Sequence, residues 1–267
     1  MRRALHLTFG RRTASCPHPF LRRALLLHTL LAGLAASAAT QTLPLTLPAP
    51  SLKGTPEFLP VGPNIEPLPH RPPQPFMVTK GVTNVAVGRT VSGSDTPLKG
   101  QLSQITDGKK EAFDFDCVEM KKGLHWVQVD LGHPYTIEAI AIWHDHRYTQ
   151  LMHDVIVQVA DDPLFQKGVT TLFNNDRDNS SGLGTGTNLE YFEMHWGRVI
   201  DGKVTKARYV RSYHNGSNLM SLNCWQELEV YALPAAPESG DAVVSSTNAS
   251  PERTEPLKLQ LPAPGLK

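Results

Sequence analysis

The chain has 267 residues, with 26 Lys and Arg against 25 Asp and Glu, for a formal net charge of +1. The balance is uneven: residues 1–40 hold six basic residues and no acidic one, leaving the remainder at 20 minus 25, or −5. A mildly acidic body without a basic run excludes nucleic acid as a partner, since that affinity depends on neutralising phosphates.

In chain order, Arg2, Arg3, Arg11, Arg12, Arg22 and Arg23 come first. An apolar run from Ala24 to Ala36 and the small-residue site Ala36-Ser37-Ala38 follow. This is the layout of a signal peptide over residues 1–38. The run is shorter than the roughly 20 residues a bilayer requires, so no membrane span is expected. Arg22-Arg23 also admits the twin-arginine route. The expected location is outside the cell, or the periplasm in a Gram-negative-type host. Cleavage removes Cys16 and leaves Cys117 and Cys224 in an oxidising compartment, where two cysteines suit one disulfide.

Residues 39–80 are rich in proline, with half of the 22 prolines lying between Gln41 and Lys80. Helix and inner strand are excluded there. One reading is an extended linker. The other is a docking strip, because Leu43-Pro-Leu-Thr-Leu-Pro-Ala-Pro-Ser-Leu-Lys53 recurs as Leu257-Lys-Leu-Gln-Leu-Pro-Ala-Pro-Gly-Leu-Lys267, identical at eight of eleven positions. Leu43, Leu45 and Leu47 alternate, as do Leu257, Leu259 and Leu261, so each copy offers one apolar edge. The second copy falls in residues 233–267, expected to be a disordered tail.

Between the tails the pattern is β. Val127, Val129 and Leu131 alternate with polar neighbours, Ile137 to Trp143 is almost continuously apolar, and Val155, Val157 and Val159 alternate again. Val169 to Phe173, Glu190 to Trp196, Lys206 to Tyr213 and Trp225 to Tyr231 complete the predicted strands. Strands of this length with polar turns and no amphipathic helix point to a sandwich.

Four strand phrases carry a resemblance: Ile105-Thr106-Asp107-Gly108, Trp126-Val127-Gln128-Val129-Asp130-Leu131-Gly132, Ala207-Arg208-Tyr209-Val210-Arg211 and Glu227-Leu228-Glu229-Val230-Tyr231. Their order and spacing over residues 81–232 resemble the discoidin, or coagulation factor V/VIII type C, family. That family belongs to the galactose-binding-like superfamily, which includes bacterial carbohydrate-binding modules. The resemblance implies an all-β galactose-binding-like jelly-roll sandwich, here with extended Pro-rich flanks. It also implies a Ca2+ ion between Asp107 and Glu227. Ala112 stands near where such relatives offer a hydroxyl, leaving Asp114 or Asp116 to substitute. The same approach of loop and last strand would bring Cys117 beside Cys224, as a disulfide or as two buried thiols.

Relatives of this kind take sugar at loops on one end of the sandwich. The phrase Trp143-His144-Asp145-His146-Arg147-Tyr148 offers aromatic faces, imidazoles and a guanidinium, the mixture sugar binding uses. His144, His146, Arg147 and Tyr148 are the first candidates, with Arg211 and Asn215, near Asn218, second. The plain alternative is a core tryptophan, an Asp145–Arg147 pair and a solvated turn. His144, Asp145, His146 and His153 lie close in sequence, but no fixed third ligand favours zinc. The run Asn174–Gly182 lacks EF-hand spacing and reads as side chains capping backbone turns. No nucleophile and base stand out, so an enzyme is not expected. The expected partner is a carbohydrate or cell-surface polymer. The alternative is an assembly protein that binds other extracellular proteins through the sandwich and the Leu-Pro strips.

Overall fold

The computed structural model describes residues 39–113 and 117–234. The expected signal peptide, Asp114 and Asp116, and the second Leu-Pro strip lie outside the described residues. Strands Thr40–Thr42 (β1), Met77–Thr79 (β2), Thr83–Asn84 (β3) and Thr90–Gly93 (β4) precede a single 3-10 turn at Leu102–Thr106. Val118–Lys122 (β5), His125–His144 (β6), Leu151–Met152 (β7), Ile156–Ala160 (β8) and Thr170–Asn174 (β9) follow. Tyr191–Phe192 (β10), Arg198–His214 (β11) and Leu222–Ala232 (β12) end the series.

Every strand pair is antiparallel, and the main sheet runs β3-β12-β6-β11-β8-β9, with β4 on β6 and β5 on β12. Two strands are long enough to serve both layers. Val127–Asp130 of β6 pairs with β4 and with the end of β11, whereas Ile137–His144 pairs with β12 and with the start of β11. Between the halves β11 shifts register at Asp201/Thr205 and Ala207/Tyr209, as bulges do where a sheet turns a corner. The sheet thus folds over itself, and Val127, Val129 and Leu131 of one layer share a buried core with Ile140, Ile142, Leu228 and Val230 of the other. This is the all-β jelly-roll sandwich that the discoidin resemblance implies.

Several predicted elements change. Ile105 and Thr106 belong to the 3-10 turn and not to a strand; one turn suffices to bury Ile105 completely. The predicted strand from Glu190 to Trp196 contracts to β10, while that from Lys206 to Tyr213 extends back to Arg198. The two apolar stretches around Val129 and Ile140 are one continuous strand, β6.

The near-continuous apolarity of Ile137–Trp143 has a direct cause. One face of this stretch enters the sandwich core. The other bears Ala139, Ala141 and Trp143, which with Tyr231 form a second buried cluster against Leu43, Val78 and Val82, flanked by Leu45 and Phe76. The Pro-rich segment is therefore a strap along the outer face of the sheet. The Leu43 amide donates to the Phe76 carbonyl at 2.7 Å, and the Thr79 amide to Glu138 Oε2 at 2.7 Å. Burying a side chain such as Leu43 or Val78 contributes about 1.5–3 kcal/mol. Cys117 and Cys224 form a disulfide with Cα atoms 5.9 Å apart, tying the chain before β5 to β12.

Trp143 lies so close to the start of β11 that only glycine fits there: Gly197 has φ +66°, and an added Cβ would sit 2.5 Å from the indole. Gly197→Ala is expected to cost about 2 kcal/mol or more, from left-handed strain and overpacking. Urea unfolding measures this, and a change under about 0.5 kcal/mol would contradict the packing.

Candidate functional site

At one end of the sandwich the loops after β6, β7, β9 and β11 form a rim. The strap crosses it. The Lys53 amide donates to the Arg147 carbonyl at 2.5 Å, Gly54 bridges Tyr148, and Thr55 Oγ1 lies 3.1 Å from Thr149 Oγ1. Further on, the Glu66 amide donates to the Glu190 carbonyl at 2.8 Å, and the Glu66 carboxylate takes two bonds from Arg198 at 2.7 and 2.8 Å.

This crossing covers His146 and Arg147, while His144 is buried by later segments. His144 is fully buried, with Nδ1 2.8 Å from Glu193 Oε2 and its ring 4.4 Å from that of His214. His146 is also buried, with Nε2 2.8 Å from the Lys110 carbonyl and Nδ1 3.2 Å from Ser51 Oγ. Nε2 must carry the proton it gives the carbonyl, so a neutral ring accepts the serine proton at Nδ1. Arg147 grips Asp145 through two bonds at 2.7 and 2.8 Å, as the plain sequence alternative has it. Tyr148 alone of this phrase is exposed. Neither buried imidazole presents a surface to a ligand.

Arg211 lies elsewhere. Its guanidinium is sandwiched between Trp126 and Phe165, at 4.1 and 4.0 Å from the ring centres, and donates to Gln128 Oε1. Asn215, by contrast, lines a polar pocket of about 370 Å3 with Asn64, His153, Asp154, Asn175, Arg177, Asp178, Ser180 and Glu190. Asn215 Nδ2 donates to Asp154 Oδ2 at 2.8 Å, Ser180 Oγ donates to the same oxygen at 3.2 Å, and His153 Nδ1 meets Glu190 Oε1 at 2.5 Å. The wall from Asn174 is held as its composition predicts. Asp176 accepts the Ser180 and Ser181 amides, and Asn179 accepts that of Gly184.

Most of this pocket escapes sequence reasoning, because its residues come from three separated loops and the strap. Asp154 at φ +47° follows His153 directly between two strands, and that local turn was the available signal. His144, Asp145, His146 and His153 do not converge as a zinc site would require. Among the described residues, Asp154, Asp176 and Asp178 bring their ligand oxygens within 4.8 Å of one another.

On the opposite face of the sheet from the core, the loop of residues 107–112 covers Glu227 and Glu229. Lys110 Nζ pairs with Glu229 at 2.6 Å, and the Tyr231 hydroxyl donates to the same carboxylate at 2.7 Å. Glu227 is buried, and among the described residues both its oxygens face the Gly108 amide, at 3.2 Å. Burial, and secondarily the charge of Glu229, push its carboxyl up to about 9. The charge of the nearby Asp107 raises it further, so this carboxyl is held neutral by its surroundings. Ala112 is buried and offers only its carbonyl.

No protein-family model matches the chain, and no curated protein matches it. Solved structures do. A fucose-binding module from Streptococcus pneumoniae is 17% identical, the match covering 56% of this chain and 98% of that one at a TM-score of 0.41. Chitosan-binding module 1 of a chitosanase/glucanase from Paenibacillus sp. is 18% identical, covering 56% and 99% at a TM-score of 0.37. A fucolectin from striped bass (Morone saxatilis) serum is 20% identical, covering 57% of this chain and 49% of that one at 0.41. The chain thus spans about half the length of the fucolectin.

Two buried groups give stability opposite slopes with pH. Unfolded, Glu227 loses its proton near pH 4.5, whereas folded it keeps it to about pH 9, so its contribution is full below pH 4.5 and falls across that window. His214 is held well below 6.5 by burial and by His144, so the unfolded chain binds the extra proton and stability falls as pH drops below 6.5. In a chelator, the melting temperature of Glu227→Gln should decline less than that of the unsubstituted chain between pH 5 and 9, while the acid-side loss persists. Parallel profiles would contradict the assignment to Glu227.

Proposed function

We infer that the chain is an exported, noncatalytic module that binds glycans or cell-surface polysaccharide. The observation that carries this reading is the polar pocket on the loop rim. Carboxylates, amides, an imidazole and a guanidinium from three loops and the strap converge on one concavity, a donor and acceptor set suited to sugar hydroxyls. Asn215, Asp154, His153, Arg177 and Glu190 are the contact residues in this reading. Tyr148 is the exposed aromatic on the same rim, and His144 and His146 hold the rim in place from beneath. Arg211, held between Trp126 and Phe165 outside this pocket, is not a contact residue in this reading. Among the described residues no helix is long and apolar enough to cross a membrane. Calcium, bound through Asp107 and Glu227, serves a structural role.

A second reading draws on a different observation. The strap occupies a groove that a simple sugar binder does not need, which favours a role in assembly with other extracellular proteins.

A glycan and polysaccharide array probed with the whole chain and with an Asp154→Ala, Asn215→Ala variant separates these readings. Losing two hydrogen-bonding groups should weaken specific binding by about tenfold or more at a temperature where the variant is folded, its melting temperature falling only modestly for the lost rim bonds and the alanine at positive φ. Unchanged binding would place the site elsewhere, and no binding by either protein would favour assembly. For the cation, added Ca2+ should raise the melting temperature of the unsubstituted chain and leave Glu227→Gln unmoved. No rise in either would remove calcium from the account.

A further inference from the structure

The strap and its distant repeat bear a relation that neither shows alone. Of the eleven positions in Leu43–Lys53, Leu43 and Pro48 are buried and Leu45 is half-buried, and all three residues recur in the second copy, as Leu257, Pro262 and Leu259. Two of the three differences, Pro44 against Lys258 and Thr46 against Gln260, fall where the docked strip is exposed. The backbone bonds that seat the strip, from the amides of residues 43 and 53, need no particular side chain, and neither counterpart is proline. Only the third difference touches the docked surface: Gly265 replaces Ser51, whose hydroxyl meets His146 at 3.2 Å.

We propose that the groove on the outer face of the sheet is a two-occupant site, in which residues 257–267 of the same chain take the place of residues 43–53. Covalent reach permits it. Leu233 lies beside Gly81, 3.7 Å from where a Cβ would stand, and the neighbouring Lys80 amide donates to the Ala39 carbonyl at 2.7 Å. Leu43 is four residues further, within about 14 Å along the chain, whereas the 22 residues from 235 to 256 can span up to about 70 Å. A tethered competitor acts as at a high local concentration. The first copy holds the advantage, because strands β1 and β2 fix it at one end and the rim bonds at the other, and because it keeps the Ser51 hydroxyl. The second copy is thus a reserve occupant, seated when the first is displaced.

A double-mutant cycle on the whole chain tests this. Leu43→Asp with Leu45→Asp should lower the melting temperature modestly, and Leu257→Asp with Leu259→Asp should leave it unchanged. The four substitutions together should lose more than the sum of the two pairs, by more than about 3 °C. Gly265→Ser, added to the Leu43 and Leu45 variant, should recover part of its loss. Additive losses with no effect of Gly265→Ser would overturn the proposal. An excess loss that varies with protein concentration would overturn exchange within one chain, since the donor would then be a second copy.

Discussion

The structure depends on one strand segment that is apolar on both faces. Ile140 and Ile142 enter the sandwich core, while Ala139, Ala141 and Trp143 point outward and require a cover of their own. In a free-standing sandwich this outer face would meet water. Here the Pro-rich strap supplies the cover, and proline suits it, because an extended segment lying flat on a sheet needs neither helix nor inner-strand hydrogen bonds. The two alanines keep the face shallow enough for Leu43 and Val78 to seat.

The same cover shapes the rim. Having crossed the sheet, the strap bonds to Arg147, Tyr148 and Thr149 and then to Glu190, so the loop after β6 becomes a support and not a surface. His146 is the joint of this arrangement, bonded on one side to the strap and on the other to the loop that covers Glu227. Open polar surface is left to the neighbouring loops, where Asp154 and Asn215 meet. The proposed glycan-binding reading and the strap are therefore linked: with the loop after β6 covered, the polar pocket of the neighbouring loops is the concavity left for that reading.

How much of this the sequence discloses follows from the range of each signal. Alternation over Val127–Leu131 and Val155–Val159 is local and survives as β6 and β8, so the jelly roll was legible. The repeat at Leu43 marked the strip as a docking candidate, and the strip does lie against the sandwich. The phrase from Trp143 to Tyr148 has a composition suited to sugar, yet His146 is covered by a segment 95 residues earlier, as the Ser51–His146 pair shows, and His144 is buried against Glu193 and His214 much later in the chain. Arg211 likewise reads as a free cation until Trp126 and Phe165 close on it. The Ile105 phrase resembled a strand because one buried isoleucine looks the same in a 3-10 turn. The polar pocket was illegible because the three loops and the strap that line it are far apart in sequence.

The central claim is that the Pro-rich segment is part of the folded domain, and amide hydrogen exchange of the whole chain tests it most directly. Slow exchange at Leu43, Glu66, Thr79 and Lys80, whose amides are bonded to Phe76, Glu190, Glu138 and Ala39, is the predicted result. Exchange of these amides at the rate of an unfolded chain, while β6 and β12 stay protected, would contradict it.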